Sequence, residues 1–248
     1  MDNIIQFAAI GFAAQLVDGA IGMAYGLTAS SILLSFGIHP IVTSASVHAA
    51  EVFTTAVSGF SHWRLGNVDR AIFKRLLIPG MIGGGLGAYV LSNIPGGVVK
   101  PVVSAYLLVM ALVILVKALR PRVTAPSSSH WQGPLAFVGA MLDAIGGGGW
   151  GPVVTSSMIG WGIAPRMAIG TSNAVEFFVT MIVAGTLLPN VEGEMWNIVL
   201  GLILGGVFAA PLAALLTKRL PVRLLMGLVG AIIMLISLND LTRAWAAW

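Results

Sequence analysis

The sequence predicts an all-α polytopic membrane protein built from two inverted repeats, each a broken-helix hairpin plus three transmembrane helices. Three observations lead there. The chain of 248 residues is 57% hydrophobic and only 9% charged, with a mean hydropathy of +0.95, whereas soluble domains carry about 25% charged residues. The pattern Asp18-Gly-Ala-Ile-Gly-Met-Ala-Tyr-Gly26 returns, 125 residues later, as Asp143-Ala-Ile-Gly-Gly-Gly-Gly-Trp-Gly151. Equivalent loops of the two copies carry opposite charge, as set out below.

The repeat continues beyond the glycines. Without a gap, Ser31 falls on Ser156, Gly37-Ile38 on Gly162-Ile163, Pro40 on Pro165, Ser46 on Thr171, His48 on Asn173, Glu51 on Glu176, Phe53 on Phe178 and Thr55 on Thr180. This divides the chain into a first transmembrane repeat at 1–120, a polar linker at 121–131 and a second repeat at 132–248. Apolar runs of the roughly 20 residues that cross a ~30 Å hydrocarbon core fill both repeats and leave no room for a soluble domain. The first of them starts at Asn3 without a basic segment or a small-residue cleavage pattern, so it reads as mature structure rather than a signal peptide. With no cysteine, disulfides, thiolate catalysis and cysteine metal sites are excluded; no metal or cofactor is expected. The net charge of +4 and pI near 9.9 reflect bases in short loops, where they set membrane orientation rather than bind nucleic acid.

Taken in order, 4–36 is an apolar stretch interrupted at Asp18-Gly19, Gly22 and Gly26, too long for one ordinary span, and two half-length helices meeting at the glycines account for its length. Gly37-Ile-His-Pro40 is a turn, with proline placed for the first turn of the next helix. Val42 to Phe60 makes one span, Leu76 to Leu91 a glycine-rich one suited to close packing, and Val98 to Val116 a third that ends at Lys117. After the linker the pattern restarts: a second broken segment at 135–161, then spans at 167–188, 196–216 and 224–238. Trp245 and Trp248 read as interface anchors.

Loop charge decides orientation. Lys- and Arg-rich loops stay cytoplasmic, which places 62–75, 117–130 and 217–223 inside and leaves 92–97 and 189–195 outside, with both termini periplasmic. His62 to Arg75 is basic, while its equivalent contains Glu192 and Glu194 and no base. Opposite charge on equivalent loops is what inverted repeats require. Each broken segment must then enter and leave on one side, as a re-entrant hairpin or a pair of spans.

Four of the nine carboxylates, Asp18, Glu51, Asp143 and Glu176, lie in apolar segments and map onto one another in pairs. A charge at membrane depth costs at least ~2.5–3.5 kcal/mol, so such residues face a cavity or a partner and mark ion or proton paths. As proton-coupling groups they would take up and release protons; as structural groups, Asp18 and Asp143 would cap broken-helix N-termini. The glycines Gly22, Gly26, Gly147, Gly148, Gly149 and Gly151 permit a tight turn and close ligand approach. A half-helix starting after them would offer free amides to an anion, while helix packing through small residues is the plainer reading. His48 and Asn173 sit three residues before Glu51 and Glu176, on the same helix face; with the hydroxyls of Ser46, Thr171 and Ser172 they are candidates to hydrogen-bond a substrate or to satisfy one another in packing. Tyr25 and Trp150 precede the paired glycines and either wall a site or pack. No P-loop, Gly-x-Ser-x-Gly or His-Glu-x-x-His pattern occurs.

At these residues the sequence resembles the sulfite exporter TauE/SafE family, the transmembrane sulfur transporters. The resemblance rests on the duplicated glycine element at 143–151 and 18–26, the Gly-x-x-Pro turns at 37–40 and 162–165, Thr171-Ser-Asn173, and Gly66-Asn-Val-Asp69. It implies a bacterial inner-membrane permease for small sulfur-containing anions such as sulfite or organosulfonates. The expectation is therefore a secondary transporter, an exporter working by alternating access with protons as coupling ion, and not an enzyme. A passive anion channel and an intramembrane enzyme using paired carboxylates remain as alternatives.

Overall fold

A computed structural model describes residues 2–21, 23–94, 96–119, 129–191, 195–216 and 222–246. Among these residues there is no strand, and the first repeat comprises α1 (Asp2–Ile21), α2 (Tyr25–Ser35), α3 (Pro40–Arg64), α4 (Arg70–Asn93) and α5 (Gly96–Leu119). A short 3₁₀ turn, Ser129–Trp131, leads into α6 (Gln132–Gly146). A π turn, Gly151–Thr155, runs into α7 (Ser156–Gly160), followed by α8 (Pro165–Leu187), a 3₁₀ turn, α9 (Met195–Leu216) and α10 (Val222–Ala246). The fold is all-α. By length and composition α4, Val98–Leu119 of α5, and α8 can each cross a membrane, and large apolar side chains such as Phe53, Ile78, Leu86, Phe208 and Leu235 are exposed, as a hydrocarbon solvent allows.

Local chemistry explains the boundaries. Pro40 and Pro165 open α3 and α8, where a missing N–H costs nothing. Asp69 caps α4, its Oδ1 accepting from Ala71 N at 2.8 Å and Ile72 N at 3.0 Å. The turns that close α2 and α7 are copies of each other: Gly37 and Gly162 both have φ of 84°, a left-handed helix end that glycine adopts without a Cβ penalty.

The repeats exchange partners. α1 packs on α9 and α6 packs on α4, so each repeat lays its first helix on the fourth helix of its partner, while α3 meets α8 and α5 meets α10. Glycines permit the close approach: a Cβ at Gly11 would stand 2.7 Å from Leu202 Cα, and one at Gly83 2.9 Å from Phe137 Cα, the small-residue contact expected between membrane helices. Along the α3–α8 contact, Gly59 lies against Ala174 and His62 against Gly170, so these two helices run antiparallel. α4 and α6 run parallel, with Gly83 on Phe137 and Gly87 on Met141.

Three expectations change. The arms of the broken segments are uneven rather than half-length: α1 has 20 residues, about 30 Å at 1.5 Å per residue, whereas α2 has 11. As the hairpin expects, α2 doubles back along α1, so that Phe7 and Ile10 share an apolar groove with Ile32 and Phe36. Arg70, Lys74 and Arg75 belong to the first turns of α4 rather than a loop, because the Asp69 cap starts the helix earlier than hydropathy does. Lys117 lies inside α5, with its ammonium on the π turn. Gly22, most of the linker, Glu192, Glu194 and Trp248, together with the side chain of Trp245, lie outside the described residues.

Candidate functional site

The broken segments of the two repeats meet backbone to backbone. A Cβ on Gly26 would stand 2.7 Å from Gly148 Cα, and one on Gly151 2.7 Å from Met23 Cβ. Positions 26 and 151 are repeat equivalents, as are 23 and 148, so one contact occurs twice. The link after α1 carries Ala24 at φ 95°, and its equivalent Gly149 has φ 147°.

Asp18 and Asp143 are both caps. Asp18 Oδ1 accepts from Tyr25 N at 3.2 Å, and Asp143 Oδ1 from Trp150 N at 2.9 Å. The first amide of each short arm, which the sequence offered to an anion, is therefore held by a carboxylate of the chain itself. Three hydroxyls of the first repeat hold the carbonyls of the second repeat's glycine turn: Ser30 on Gly147, Ser44 on Ala144 at 2.6 Å and Tyr106 on Gly148 at 2.9 Å.

Beside this junction lies a cavity of about 90 Å³, room for a few waters or one small molecule at the ~10–15 Å³ that one water occupies on this measure. All four predicted carboxylates line it, with Tyr25, Gly26, Gly149, Gly151 and Asn173. So do Gln15, Thr54, Thr55, Ser58 and Thr155, polar residues that the sequence reading passed over although Thr54, Thr55 and Ser58 follow Glu51 along one helix. No lysine or arginine is among the lining residues. Glu51 is 5% exposed, and its Oε2 has no hydrogen-bond partner among the described residues. Asn173 Nδ2 donates to Ser58 Oγ at 2.6 Å, tying α8 to α3.

The other candidates lie behind this surface. Trp150 is fully buried, its indole donating to Ser172 Oγ at 2.7 Å, and Ser172 also meets Thr155 Oγ1 at 2.5 Å. Gly147 and Gly148 form the junction without lining the cavity, and Ser46 is buried with no hydrogen-bond partner for its hydroxyl among the described residues. Thr171 is drawn to the α3–α4 loop, accepting from Asp69 N at 2.8 Å. His48 is fully buried and its Nε2 lies 3.1 Å from Asp143 Oδ2. Two further residues were not among the site candidates: Tyr106, and Lys117, expected as a loop base, which donates to Pro152 O at 2.7 Å and to Ser156 Oγ.

Comparison with known proteins places this architecture. A family model described as "Sulfite exporter TauE/SafE" matches residues 7–239. The chain is 42% identical over 256 residues to the "Probable membrane transporter protein YtnM" of Bacillus subtilis (strain 168), across 100% of this chain and 85% of that protein. No solved structure matches. With the model spanning nearly its whole length and a relative this similar, the chain belongs to the sulfite exporter TauE/SafE family of membrane transporters.

Proposed function

We propose that the protein is a secondary transporter that exports small sulfur-containing anions, sulfite or organosulfonates, across the bacterial inner membrane by proton-coupled alternating access. The observation that carries this reading is the cavity at the doubled junction. It is walled by both repeats, and its volume of about 90 Å³ suits a small ion better than an extended molecule. The family description supplies the chemical class. The antiparallel course of α3 and α8 supports an inverted arrangement, in which rocking one repeat against the other exposes a central site alternately to each side.

The lining explains why protons enter the reading. Like charges 4 Å apart repel by ~4 kcal/mol at an effective dielectric of 20, so an anion does not share this space with four ionised carboxylates and no base. Part of that negative charge has to be neutralised when the anion is present. Protonation does this without a further residue; the proton then travels with the anion, and with a dianion such as doubly charged sulfite the pair keeps a negative charge that the membrane potential drives outward.

The test is flux of radiolabelled sulfite and methanesulfonate in proteoliposomes with and without a pH gradient. Accumulation above equilibrium that collapses with a protonophore is the expected result. Flux no greater than that of empty liposomes for both anions rejects the substrate class, and flux that only follows the anion's own gradient makes the protein a channel.

A further inference from the structure

Hydrogen counting around His48 locates a proton. The Ser44 hydroxyl has one hydrogen, and it goes to Ala144 O at 2.6 Å. His48 Nδ1 lies 2.8 Å from the carbonyl oxygen of Ser44, which can only accept, so Nδ1 carries a hydrogen. Asp143 Oδ1 is occupied by the amide of Trp150. This leaves His48 Nε2 facing Asp143 Oδ2 at 3.1 Å, with both atoms buried. Two lone pairs cannot face each other at that distance, so one further proton lies between them, on the imidazole or on the carboxyl. The pair is neutral while it holds that proton and carries one negative charge when it does not.

We propose that His48 and Asp143 together form the proton-binding site that couples transport, a deepening of the function proposed above that rests on it only for the flux experiment. His48 belongs to the first repeat and Asp143 to the second, 95 residues apart, so the proton closes a bond between the two bodies whose relative movement alternating access requires. Loss of the proton leaves a bare contact between lone pairs and frees α3 from the cap of the second short arm. The second repeat has Asn173 in the place of His48. Its amide hydrogens do not exchange for charge, and it donates to Ser58 instead. The symmetric positions therefore provide one exchangeable proton and not two.

The groups that face the pair come from every neighbouring element. Glu51 of α3, Glu176 of α8 and Tyr106 of α5 are within electrostatic range of Asp143, and across the cavity Asp18 of α1 acts on Glu51 and both act on Tyr25 of α2. Lys117 of α5 is engaged by Pro152 and Ser156. An arriving anion is repelled by the negative form of the pair and not by the neutral one. Substrate and proton thus draw each other in.

Two measurements test the assignment. The first needs no substrate. Protein labelled with ¹⁵N-histidine in detergent micelles is followed from pH 5 to 9, with His39, His62 and His130 replaced by glutamine so that His48 is the sole imidazole. The expected spectrum keeps a hydrogen on Nδ1 throughout and gains or loses one at Nε2; an unprotonated Nδ1 in folded protein, or a spectrum that does not change with pH, overturns the proposal. The second uses His48→Gln, which retains an N–H toward Asp143 but no exchangeable proton, in proteoliposomes loaded with a pH dye. Methanesulfonate is the probe, because its own charge is fixed across this range. Wild-type flux should fall about tenfold per pH unit on the alkaline side and carry protons, while in His48→Gln, whose pair with Asp143 keeps its negative charge, any flux that remains should be flat with pH and carry none. Proton movement that persists in the variant overturns the proposal. Absence of wild-type methanesulfonate flux counts against the substrate class alone and leaves the imidazole spectrum to decide the proton site.

Discussion

Replacing Gly148 with alanine tests the junction on which the site is built. The new Cβ would overlap the carbonyl carbon of Gly26 and the amide nitrogen of Leu27 and stand 2.7 Å from Gly26 Cα. All of these are backbone atoms, which cannot rotate aside as a side chain does. Gly148 also has φ of 155°, a conformation that costs a residue with a Cβ of order 1–3 kcal/mol, and overpacking a tight contact adds about 1–3 kcal/mol. The sum, about 2–6 kcal/mol, is a large part of the ~5–15 kcal/mol that stabilises a typical domain. At roughly 2–4 °C per kcal/mol for a chain of this size, the melting midpoint falls by about 4–24 °C. Gly151→Ala, at the repeat-equivalent contact, provides the comparison, because the nearest atom there is the Met23 side-chain Cβ and no unusual φ is involved. It should be the milder change. The assay is the fraction of monodisperse protein left after graded heating in detergent. A Gly148→Ala midpoint within about 2 °C of wild type, or a larger loss in Gly151→Ala, refutes the packing argument.

Other substitutions separate cap, surface and topology. Asp18→Ala removes the acceptor for Tyr25 N and should cost about 0.5–2 kcal/mol, whereas Asp18→Asn keeps an oxygen there and should melt near wild type; equal losses in both would assign the stability to the charge. Gly185→Ala, in the last turn of α8 with nothing within 4 Å of the new Cβ, should stabilise by at most about 1 kcal/mol, read as a rise in the same midpoint. Because the chain has no cysteine, single cysteines at Asn67 and Val191 can be labelled from each side of the membrane; reaction from opposite faces is expected, and reaction from one face rejects the inverted arrangement.

What the sequence disclosed is what local residue identity controls. An aspartate seven residues before an aromatic, with glycines between, makes the same cap in both repeats. A Gly-x-x-Pro element makes the same turn, because φ and the missing proline N–H are properties of those residues. Partnership between distant helices was not legible in the same way: nothing in the spacing of α1 shows that it lies on α9, almost 200 residues later. Lys117 stands close to Arg120 and Arg122 and so reads as a loop base, until the packing of α5 carries it to the carbonyl of Pro152. His48 was grouped with Glu51 by their three-residue separation. That separation still turns a side chain by about 60° around the helix at 3.6 residues per turn, enough to leave Glu51 on the cavity while His48, off the lining, reaches Asp143 at its wall.

The departures from symmetry bear most directly on mechanism. Two identical repeats joined by a two-fold axis would give equal weight to the inward- and outward-facing states, and any residue that differs between equivalent positions biases that balance. Here the differences gather around one junction. Gly149 is matched by a strained Ala24, His48 by Asn173, Lys117 by Thr242 and Tyr106 by Ala231. In three of these pairs the polar or titratable member belongs to the first repeat and bonds to the second repeat's turn or its cap. The α2 arm is a regular helix, while its counterpart opens with a π turn, a form that places an extra residue in the helical ladder and recurs at functional sites. On the proposed mechanism the second short arm is therefore the element whose attachment depends on the proton, held through Asp143 by His48, through Gly148 by Tyr106 and through Pro152 by Lys117. The first short arm has no titrating partner at the matching position and serves as the fixed wall against which the other moves.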